Sequence, residues 1–502
     1  MTGYVFFIFL RFNKFILGKI KQLAGQTAVY GLSSIIGRLL NYLLVPLYTN
    51  IFSTGEYGVV TELYAYLSFL IIVLTYGMET GFFRFWESEK GNLKVYSTSL
   101  ISLFVSSFVF IVLVIVFSKP IASVLEYNNH SEYVIWLGII IGFDALTAIP
   151  FAYLRQQNKA LKFALIKLIN ILIFIGLNLF FLLLCPLLIK NGIKIPNWIY
   201  SSEVGVGYIF ISNMFASVIT LILLIPTMKI KFSFDAVIWK KMLLYSLPLL
   251  IAGLAGMVNE TFDRAMLKRL LTDTSTAMEQ LGIYGANYKV SILMTLFIQT
   301  FRYAAEPFFF SQAKEKNAKE LYAQVMKYFI IFGLIIFLGV LLYLDIIKYF
   351  IGENFRSGLK VVPILLLANL FLGIFFNLSI WYKLTNKTSW GALLAIFGAV
   401  ITISFNLWLI PIMGYMGAAW ATLICYFAMM VASFLLGNMF YKVKYPLLRI
   451  GIYFLAAFAI YAVSLIVKID SSSLSLLFNS FLFVLYIVFV LYMEPSLKQK
   501  LK

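Results

Sequence analysis

The sequence predicts an all-α polytopic membrane protein with about fourteen transmembrane helices, arranged as two six-helix halves followed by two further helices. The composition, the length of the apolar runs and an internal repeat lead to this prediction. The 502 residues are 62% hydrophobic and 12% charged, whereas a soluble domain carries about 25% charged residues. No soluble core could bury this much apolar surface, so most of the chain must lie in lipid.

The apolar runs indicate the secondary structure. Within lipid every backbone polar group needs an internal hydrogen-bond partner, so only helices and closed barrels span a membrane. The runs are about 20 residues long and show no period-two alternation, which favours helices. The predicted spans cover residues 26–50, 57–78, 96–118, 133–153, 163–186, 204–227, 242–263, 283–304, 325–345, 361–382, 389–411, 414–437, 447–467 and 475–493.

The basic residues predict the orientation in the membrane. With the N-terminus inside, the inner segments carry about three times as many Lys and Arg residues as the outer loops, which is the bias of cytoplasmic segments. Both termini are therefore predicted to be cytoplasmic. The net charge of +19 follows from this topology, and short basic clusters between apolar runs do not favour a nucleic-acid partner.

An internal repeat divides the chain, because residues 57–85 align with residues 284–312 without a gap. The residues Tyr57, Gly58, Ile71, Tyr76, Glu79, Phe82 and Phe83 recur as Tyr284, Gly285, Ile298, Tyr303, Glu306, Phe309 and Phe310. A second repeat pairs Asn158, Lys159, Asn178 and Leu179 with Asn386, Lys387, Asn406 and Leu407. The predicted domains are a cytoplasmic or interfacial segment at 1–23, an N-terminal half at 24–230, a C-terminal half at 231–440, and two extra helices with a cytoplasmic tail at 441–502.

The number of spans per half predicts the symmetry. Two halves with an even number of spans insert the same way up, so their pseudo-twofold axis should lie along the membrane normal. Duplicated halves are a common architecture of alternating-access transporters, with the substrate path between the halves.

Missing motifs exclude several functional classes. Cys185 and Cys425 lie in separate apolar runs without a CxxC spacing, and His130 is the only histidine, so we expect neither a disulfide nor a structural zinc site. The chain has no G-x-x-x-x-G-K-[ST] loop, which excludes ATP hydrolysis by that route. We expect no catalytic residue, no metal and no cofactor, and transport driven by an ion gradient, the membrane potential or mass action.

Four basic residues in predicted spans 1, 7 and 8 are candidates for substrate binding. They are Arg38, Arg264, Lys289 and Arg302. A charge within a span costs about 2.5–3.5 kcal/mol on insertion scales, so each one needs a partner or water. The first two helices of each half would face a central cleft, and guanidinium groups bind phosphate oxygens bidentately. This set therefore predicts an anionic substrate.

Pairing within a helix is the alternative for some of these cations. Glu260 and Arg264 are four residues apart, as are Arg302 and Glu306, and this spacing lets each pair neutralise itself on one helix face. Arg38 has no acid within four residues, which favours substrate contact. Lys289 is near a predicted helix end, where its ammonium could instead extend towards the interface.

Five acidic residues are candidates for ion coupling or gating. They are Glu79, Asp144, Glu260, Asp263 and Glu306. Glu79 and Glu306 are related by the repeat, and each should end the second helix of its half. For these two we favour a structural cap or a gate contact with basic residues on the other half. The position of Asp144 in mid-span does not separate coupling from a buried pair with Lys167.

Residues 24–85 resemble the start of bacterial polysaccharide and O-antigen flippases, which belong to the multidrug/oligosaccharidyl-lipid/polysaccharide exporter superfamily. The matching features are Ser33, Gly37 and Arg38 in span 1 and the turn from Ser53 to Gly58. The repeated Tyr-Gly at 284–285 and the stretch with Asn259, Asp263 and Arg264 add to the likeness, as does the six, six, two layout of the spans.

The resemblance implies a rocker-switch transporter of undecaprenyl-pyrophosphate-linked oligosaccharide from the cytoplasmic to the outer leaflet of the bacterial inner membrane. It also implies membrane lipid and the polysaccharide polymerase machinery as partners. The peptidoglycan-precursor flippase of this superfamily has cavity arginines on its first helix, where Arg38 occupies a similar place. That relative binds the lipid tail between its last two helices, but its fuller arginine set is not evident here, so the same substrate is not implied.

Two other functions compete with this one. Drug exporters of the same superfamily take cationic substrates and have twelve spans, so the four cations and the two extra spans argue against that branch. A membrane-embedded glycosyltransferase or polymerase would need acidic catalytic residues in sizeable loops, whereas the loops predicted here are short.

Overall fold

The chain folds into helices throughout the part that the computed structural model describes. This part comprises residues 35–228, 233–271, 273–467 and 469–495, and it contains no β-strand. The all-α prediction is therefore confirmed. The predicted segment 1–23 and the start of the first predicted span lie outside the described residues.

The helices follow the predicted spans closely. The longer ones are α1 (Leu44–Ile51), α2 (Thr54–Thr75), α3 (Met78–Ser88), α4 (Leu93–Val116), α5 (Ser131–Gln156), α6 (Ala160–Leu179), α7 (Gly207–Leu224), α8 (Ala236–Leu270), α9 (Thr274–Val290), α10 (Ile292–Gln312), α11 (Ala318–Leu342), α12 (Val362–Leu378), α13 (Ser389–Met413), α14 (Tyr415–Phe440), α15 (Leu447–Ile466) and α16 (Ser472–Met493). Short α-helical segments cover Ser118–Val124, Cys185–Lys190, Leu344–Ile347 and Ile380–Leu384. A helical segment at 35–42 precedes α1.

The span count agrees with a multi-pass membrane protein. Among the described residues, 12 helices are long and apolar enough to cross a membrane, and the bent pair of α9 and α10 raises the number to 13. The two helices of this pair meet at an angle of 52°. Because the first predicted span lies partly outside the described residues, the total of fourteen remains a prediction, as does the pseudo-twofold axis.

The start of α2 shows how turn chemistry sets a helix boundary. The sequence predicts a span from residue 57, but the helix begins at Thr54 because the Ser53 side chain accepts the Glu56 backbone N–H while Glu56 reaches back to the Ser53 N–H. This capping box satisfies two donors at the helix start. The helix ends at Thr75, where Tyr76 and Gly77 both adopt positive φ, of 34° and 69°.

The two predicted halves repeat one turn with the same geometry. Asn158 and Asn386 both adopt the left-handed conformation, with φ of 55° and 56°, which asparagine tolerates better than most residues. In each turn the following lysine donates its backbone N–H five residues back: Lys159 to Leu154 over 2.9 Å, and Lys387 to Tyr382 over 2.8 Å. The second sequence repeat therefore corresponds to a repeated structural feature.

The last two helices attach to the bundle through a buried ion pair. Lys327 of α11 lies 2.6 Å from the carboxylate of Glu494, just after α16, and Tyr453 of α15 donates to the same carboxylate over 2.8 Å. Lys327 and Glu494 expose 7% and 3% of their surface. A buried charge without a partner is strongly destabilising, so this pair fixes α15 and α16 to α11.

Replacing Lys327 with Met should lower the thermal stability of the protein in detergent. The change removes the buried partner of the Glu494 carboxylate and leaves it only Arg449 at 4.0 Å; loss of a buried partner costs about 3–5 kcal/mol. Thermal denaturation followed by size-exclusion chromatography measures the loss, and the double variant K327M/E494Q should recover much of it. The matched control is Lys319→Met on the exposed face of the same helix; an equal loss in K319M would contradict the assignment.

Candidate functional site

The two halves touch most closely where α2 crosses α9. A Cβ atom on Gly58 would collide with the carbonyl oxygen of Met278, and one on Gly282 would collide with the carbonyl oxygen of Thr54. The backbones therefore meet with no side chain between them, as small residues allow at helix crossings in membranes. Gly58 belongs to the repeated Tyr-Gly, and a Cβ on its counterpart Gly285 would collide with Thr61.

A buried charge cluster lies beside this crossing and also joins the halves. Lys268, in the last turn of α8, lies 3.3 Å from the carboxylate of Glu62 on α2 and 3.3 Å from that of Glu126. Tyr66 and Tyr127 donate their hydroxyls to Glu62. Glu62 is fully buried and Lys268 is 7% exposed. We call this end of the bundle the Lys268 end; the predicted topology places it outside the cell.

Sequence reasoning missed this cluster. The predicted span ends at residue 263 and leaves Lys268 in an outer loop. In the structure α8 continues to Leu270, so Lys268 is helical and buried. Its partner Glu62 is 206 residues away in sequence, and no local spacing connects them. One signal could have indicated the cluster: Glu62 lies in the first half of a predicted span, and no residue on its own helix supplies a cation. A buried acid of this kind needs a cation from another helix.

At the opposite end the two repeated acids each form an ion pair within their own half. Arg155 of α5 donates to Glu79 of α3, and Lys383 lies 2.7 Å from Glu306 of α10. Glu79 and Glu306 are related by the repeat, so one interaction occurs twice. We call this end the Glu79 end. Among the described residues no ion pair joins the two halves there; they meet through the first part of α8, whose Ser246 donates to the Gly77 carbonyl over 3.2 Å.

These pairs correct two expectations about the repeated acids. A gate contact with the other half is wrong for both, because each acid binds a cation of its own half. The expected position at the end of the second helix is also wrong for Glu79, which lies in the first turn of α3 after the break at Gly77. Because of this break, Glu79 stands at the start of a helix rather than at the end of one.

Three of the four predicted cations come together in the region of the predicted central cleft. Arg264 and Lys289 are half-buried, so part of each side chain is accessible. Arg38 is exposed on the helical segment before α1. The Lys289 ammonium interacts electrostatically with Arg264, Arg38 and Glu260.

Aromatic rings contact two of these cations. The Arg264 guanidinium lies 4.1 Å from the ring centre of Tyr288, and the Lys289 ammonium lies 5.2 Å from that of Tyr42. Cation–π contacts of this kind stabilise a charge without neutralising it. Asp263 and Glu260 also interact electrostatically with Arg264, so nearby acids offset part of the positive charge.

The predicted pairing within helices is wrong. Arg264 donates to the backbone carbonyl of Glu260 at 3.5 Å, but the Glu260 carboxylate makes no ion pair with it. Glu306 pairs with Lys383 instead of Arg302, and Arg302 lies 4.3 Å from the ring centre of Phe376. Helical spacing places each predicted pair on one face, but the neighbouring helices supply other contacts.

Asp263 holds two helices together. Its carboxylate accepts a hydrogen bond from the Tyr284 hydroxyl over 2.5 Å and another from the Arg264 backbone N–H over 2.8 Å. Asp263 is 3% exposed. Asn259, one turn earlier, donates to the Ala395 carbonyl and accepts from Thr402 on α13. The stretch 259–264 thus ties α8 to α9 and α13 while presenting Arg264 to the cleft.

Asp144 lies in a separate polar site within the first half. Ser217 of α7 donates to its carboxylate over 2.7 Å. Lys167 makes no ion pair with Asp144 within 4 Å and lies 4.2 Å from the ring centre of Phe151, although the two charges interact electrostatically. A direct buried pair is therefore not formed. In the described ranges no three His, Cys, Asp or Glu residues converge as metal ligands.

The fold defines a multi-pass membrane protein. A sequence model of the family described as polysaccharide biosynthesis protein matches residues 23–311, which is more than half of the chain. The chain belongs to this family. No curated protein sequence matches the chain.

Solved structures share the fold. The lipid II flippase MurJ in an inward closed conformation is similar with a TM-score of 0.73 at 16% identity, over 93% of this chain and 98% of that one. An inward-facing multidrug resistance MATE family transporter has a TM-score of 0.65 at 13% identity, over 81% and 94% of the two chains. An outward-facing transporter of that family has a TM-score of 0.55 at 14% identity, over 82% and 94%.

Replacing Glu62 with Gln should open the Lys268 end. Lys268 would then lack its buried carboxylate, and removing one partner of a buried pair costs about 3–5 kcal/mol, which disfavours the closed state. A cysteine replacing buried Ala65, one turn along α2, reports the opening through its labelling by an impermeant maleimide in membrane vesicles of both orientations. Labelling from the Lys268 end should rise. Glu79→Gln is the control at the opposite end, and unchanged labelling in E62Q would contradict a gate.

Replacing Gly282 with Leu should separate α2 from α9. The leucine side chain must fit between two touching backbones, and helices with ordinary side chains lie 8–10 Å apart, so we expect a separation of about 2 Å or more. Spin labels at the exposed positions Glu56 and Glu279 measure this distance. Gly176→Leu is the control, because no atom lies within 4 Å of a Cβ there. An unchanged distance in G282L would refute the tight crossing.

Proposed function

We propose that this protein flips undecaprenyl-pyrophosphate-linked oligosaccharide units from the cytoplasmic to the outer leaflet of the bacterial inner membrane by alternating access. The units would serve the synthesis of O-antigen, capsule or exopolysaccharide. The observation that carries the proposal is the group of Arg38, Arg264 and Lys289, whose charges interact with one another; aromatic rings contact two of them, Arg264 and Lys289. Family membership in polysaccharide biosynthesis supports the substrate class.

Each part of the substrate meets a matching environment. The pyrophosphate requires cations, which the cleft supplies and which bind phosphate oxygens through charge-assisted hydrogen bonds. The sugars require a wet path, and the accessible surfaces of Arg264 and Lys289 supply one. The polyprenyl tail requires lipid, and α15 and α16 lie beside α11 with many exposed apolar side chains. No residue of this path needs to perform covalent chemistry, so we propose a transporter rather than an enzyme.

The conformation corresponds to the loading step of this cycle. The Gly58 crossing and the Glu62–Lys268 pair close the Lys268 end, while the Glu79 end has no ion pair between the halves in the described part of the chain. With the termini in the cytoplasm, the cleft opens inward. An interior negative by 100 mV then favours outward movement of negative charge by about 2.3 kcal/mol per charge.

Export of cationic drugs is the weaker alternative. A cationic substrate would need acids that prevail at the centre of the cleft, but Glu260 stands there among Arg264, Arg38 and Lys289. Asp263 is occupied by Tyr284, and Glu79 and Glu306 by basic partners. Asp144 lies in a pocket of the first half beside Lys167. This position suits ion coupling better than binding of a large cation, and the coupling ion remains to be identified.

Replacing Arg38 with Ala should reduce export of surface glycan. The loss of one charge-assisted contact to phosphate costs about 1.5–3 kcal/mol, equivalent to a ten- to hundred-fold lower rate. The measurement is surface glycan, together with undecaprenyl-linked oligosaccharide accumulated in the cytoplasmic leaflet, in a deletion strain that carries the variant at wild-type protein level.

Two controls make this result specific. Arg38→Lys retains the charge and should keep part of the activity, and Arg356→Ala removes an arginine at the Lys268 end that contacts Tyr349 outside the cleft. R356A should export normally. Full export by R38A would disprove the phosphate contact, and unchanged glycan in the deletion strain, absent a redundant flippase, would transfer the proposal to small-molecule export.

A further inference from the structure

A small open pocket lies at the Glu79 end of the C-terminal half, away from the group of Arg38, Arg264 and Lys289. It is formed between α10, the end of α12 and the short helix Ile380–Leu384. Its polar lining consists of Arg302, Glu306, Asn377, Ser379 and Lys383, and Phe376 forms one apolar wall. The predicted topology places this pocket at the cytoplasmic mouth of the cleft.

The pocket contains a buried hydrogen-bond donor without a partner. Asn377 is 3% exposed, and its Nδ2 atom donates to no group of the protein. Buried polar atoms are nearly always satisfied, because leaving one unpaired costs free energy. Since Asn377 lines the pocket, a ligand there would supply the missing acceptor.

Two cations stand beside this amide. Arg302 is exposed, makes no ion pair in the described structure and stacks at 4.3 Å on the Phe376 ring. The stacking fixes the guanidinium plane and leaves its donors free. Lys383 lies 2.7 Å from Glu306, and an ammonium carries three donors, so this pair leaves donors on the lysine and acceptors on the carboxylate.

The repeat shows that the extra donors are not required by the fold. The first half has the equivalent ion pair, Arg155 with Glu79. However, the position equivalent to Arg302 is Thr75, whose hydroxyl donates to the Ile71 carbonyl over 2.7 Å. The position equivalent to Asn377 is the fully buried Ile149. One half therefore has a threonine and an isoleucine where the other presents an arginine and an unpaired amide.

We propose that this pocket binds a hydroxylated oxyanion, namely the anionic group and an adjacent hydroxyl of a sugar phosphate or a sugar carboxylate. Arg302 and Asn377 donate hydrogen bonds to the anion. Glu306 accepts a hydrogen bond from the hydroxyl, and Lys383 neutralises the Glu306 carboxylate. The inference rests on the proposed function, in which such a group belongs to the transported glycolipid. It adds a second contact site at the mouth of the cleft, specific for the head group.

Binding of small sugars to the full-length protein tests the pocket. The protein in phosphatidylcholine nanodiscs is titrated by calorimetry with glucose 1-phosphate in one arm, glucuronate in a second and uncharged glucose in a third. We expect one of the two anions to bind and glucose not to bind. The anion that binds identifies phosphate or carboxylate as the source, and binding of neither would overturn the proposal.

Three variants assign the binding to these residues. Asn377→Asp places a negative charge in the pocket, and Arg302→Gln removes the cation without burying a charge; each should weaken anion binding at least about ten-fold, the equivalent of one lost charge-assisted hydrogen bond. Asn369→Asp is the matched control on the same helix, because Asn369 donates to the Leu365 carbonyl instead of a pocket. Wild-type affinity in R302Q would overturn the proposal even if N377D failed to fold.

The same variants separate this inference from the proposed function. If Arg38→Ala abolishes glycan export while N377D and R302Q bind the anion as wild type does, the pocket assignment fails and the flippase proposal stands. If N377D and R302Q lose anion binding but R38A exports glycan normally, the pocket stands and the cleft assignment fails.

Discussion

The backbone contact between α2 and α9 is the constraint on which the rest of the structure depends. Gly58 and Gly282 allow the two helices to touch without intervening side chains, and only when the halves meet this closely can Glu62 and Lys268 be buried together. A closed Lys268 end means that the cations deeper in the cleft are reached from one side. Steric packing at two glycines thereby allows the buried pair to form at this end.

The duplicated halves share a frame but differ in chemistry. Both have a left-handed asparagine turn and an acid–base pair at the Glu79 end. Two hydrogen-bond donors of the proposed pocket, by contrast, follow no repeat: Arg302 has Thr75 as its counterpart, and Asn377 has Ile149. The substrate proposed above has a head group with distinct ends, a pyrophosphate and sugars, and divergence between two copies of one frame would give it an asymmetric path.

Buried ion pairs show where local reasoning stops. The i, i+4 spacing of Glu260 with Arg264 is a valid helix rule, yet Arg264 stacks on Tyr288 of another helix. Lys327 and Glu494 are separated by 167 residues, and nothing in the neighbouring sequence of either one indicates the other. In lipid the cost of an unpaired charge is high enough that distant partners displace weak local ones.

The sequence by itself determined the helical fold, nearly every span, the internal repeat and the presence of cations in the first helices of the halves, because apolar run length and composition are local properties that lipid enforces. The closed Lys268 end, the partners of Glu62, Glu79 and Glu306, and the pocket at Asn377 were decided only by tertiary structure. They depend on which helix faces meet, and in a bundle this is set by side-chain shape and glycine contacts between segments far apart in the chain.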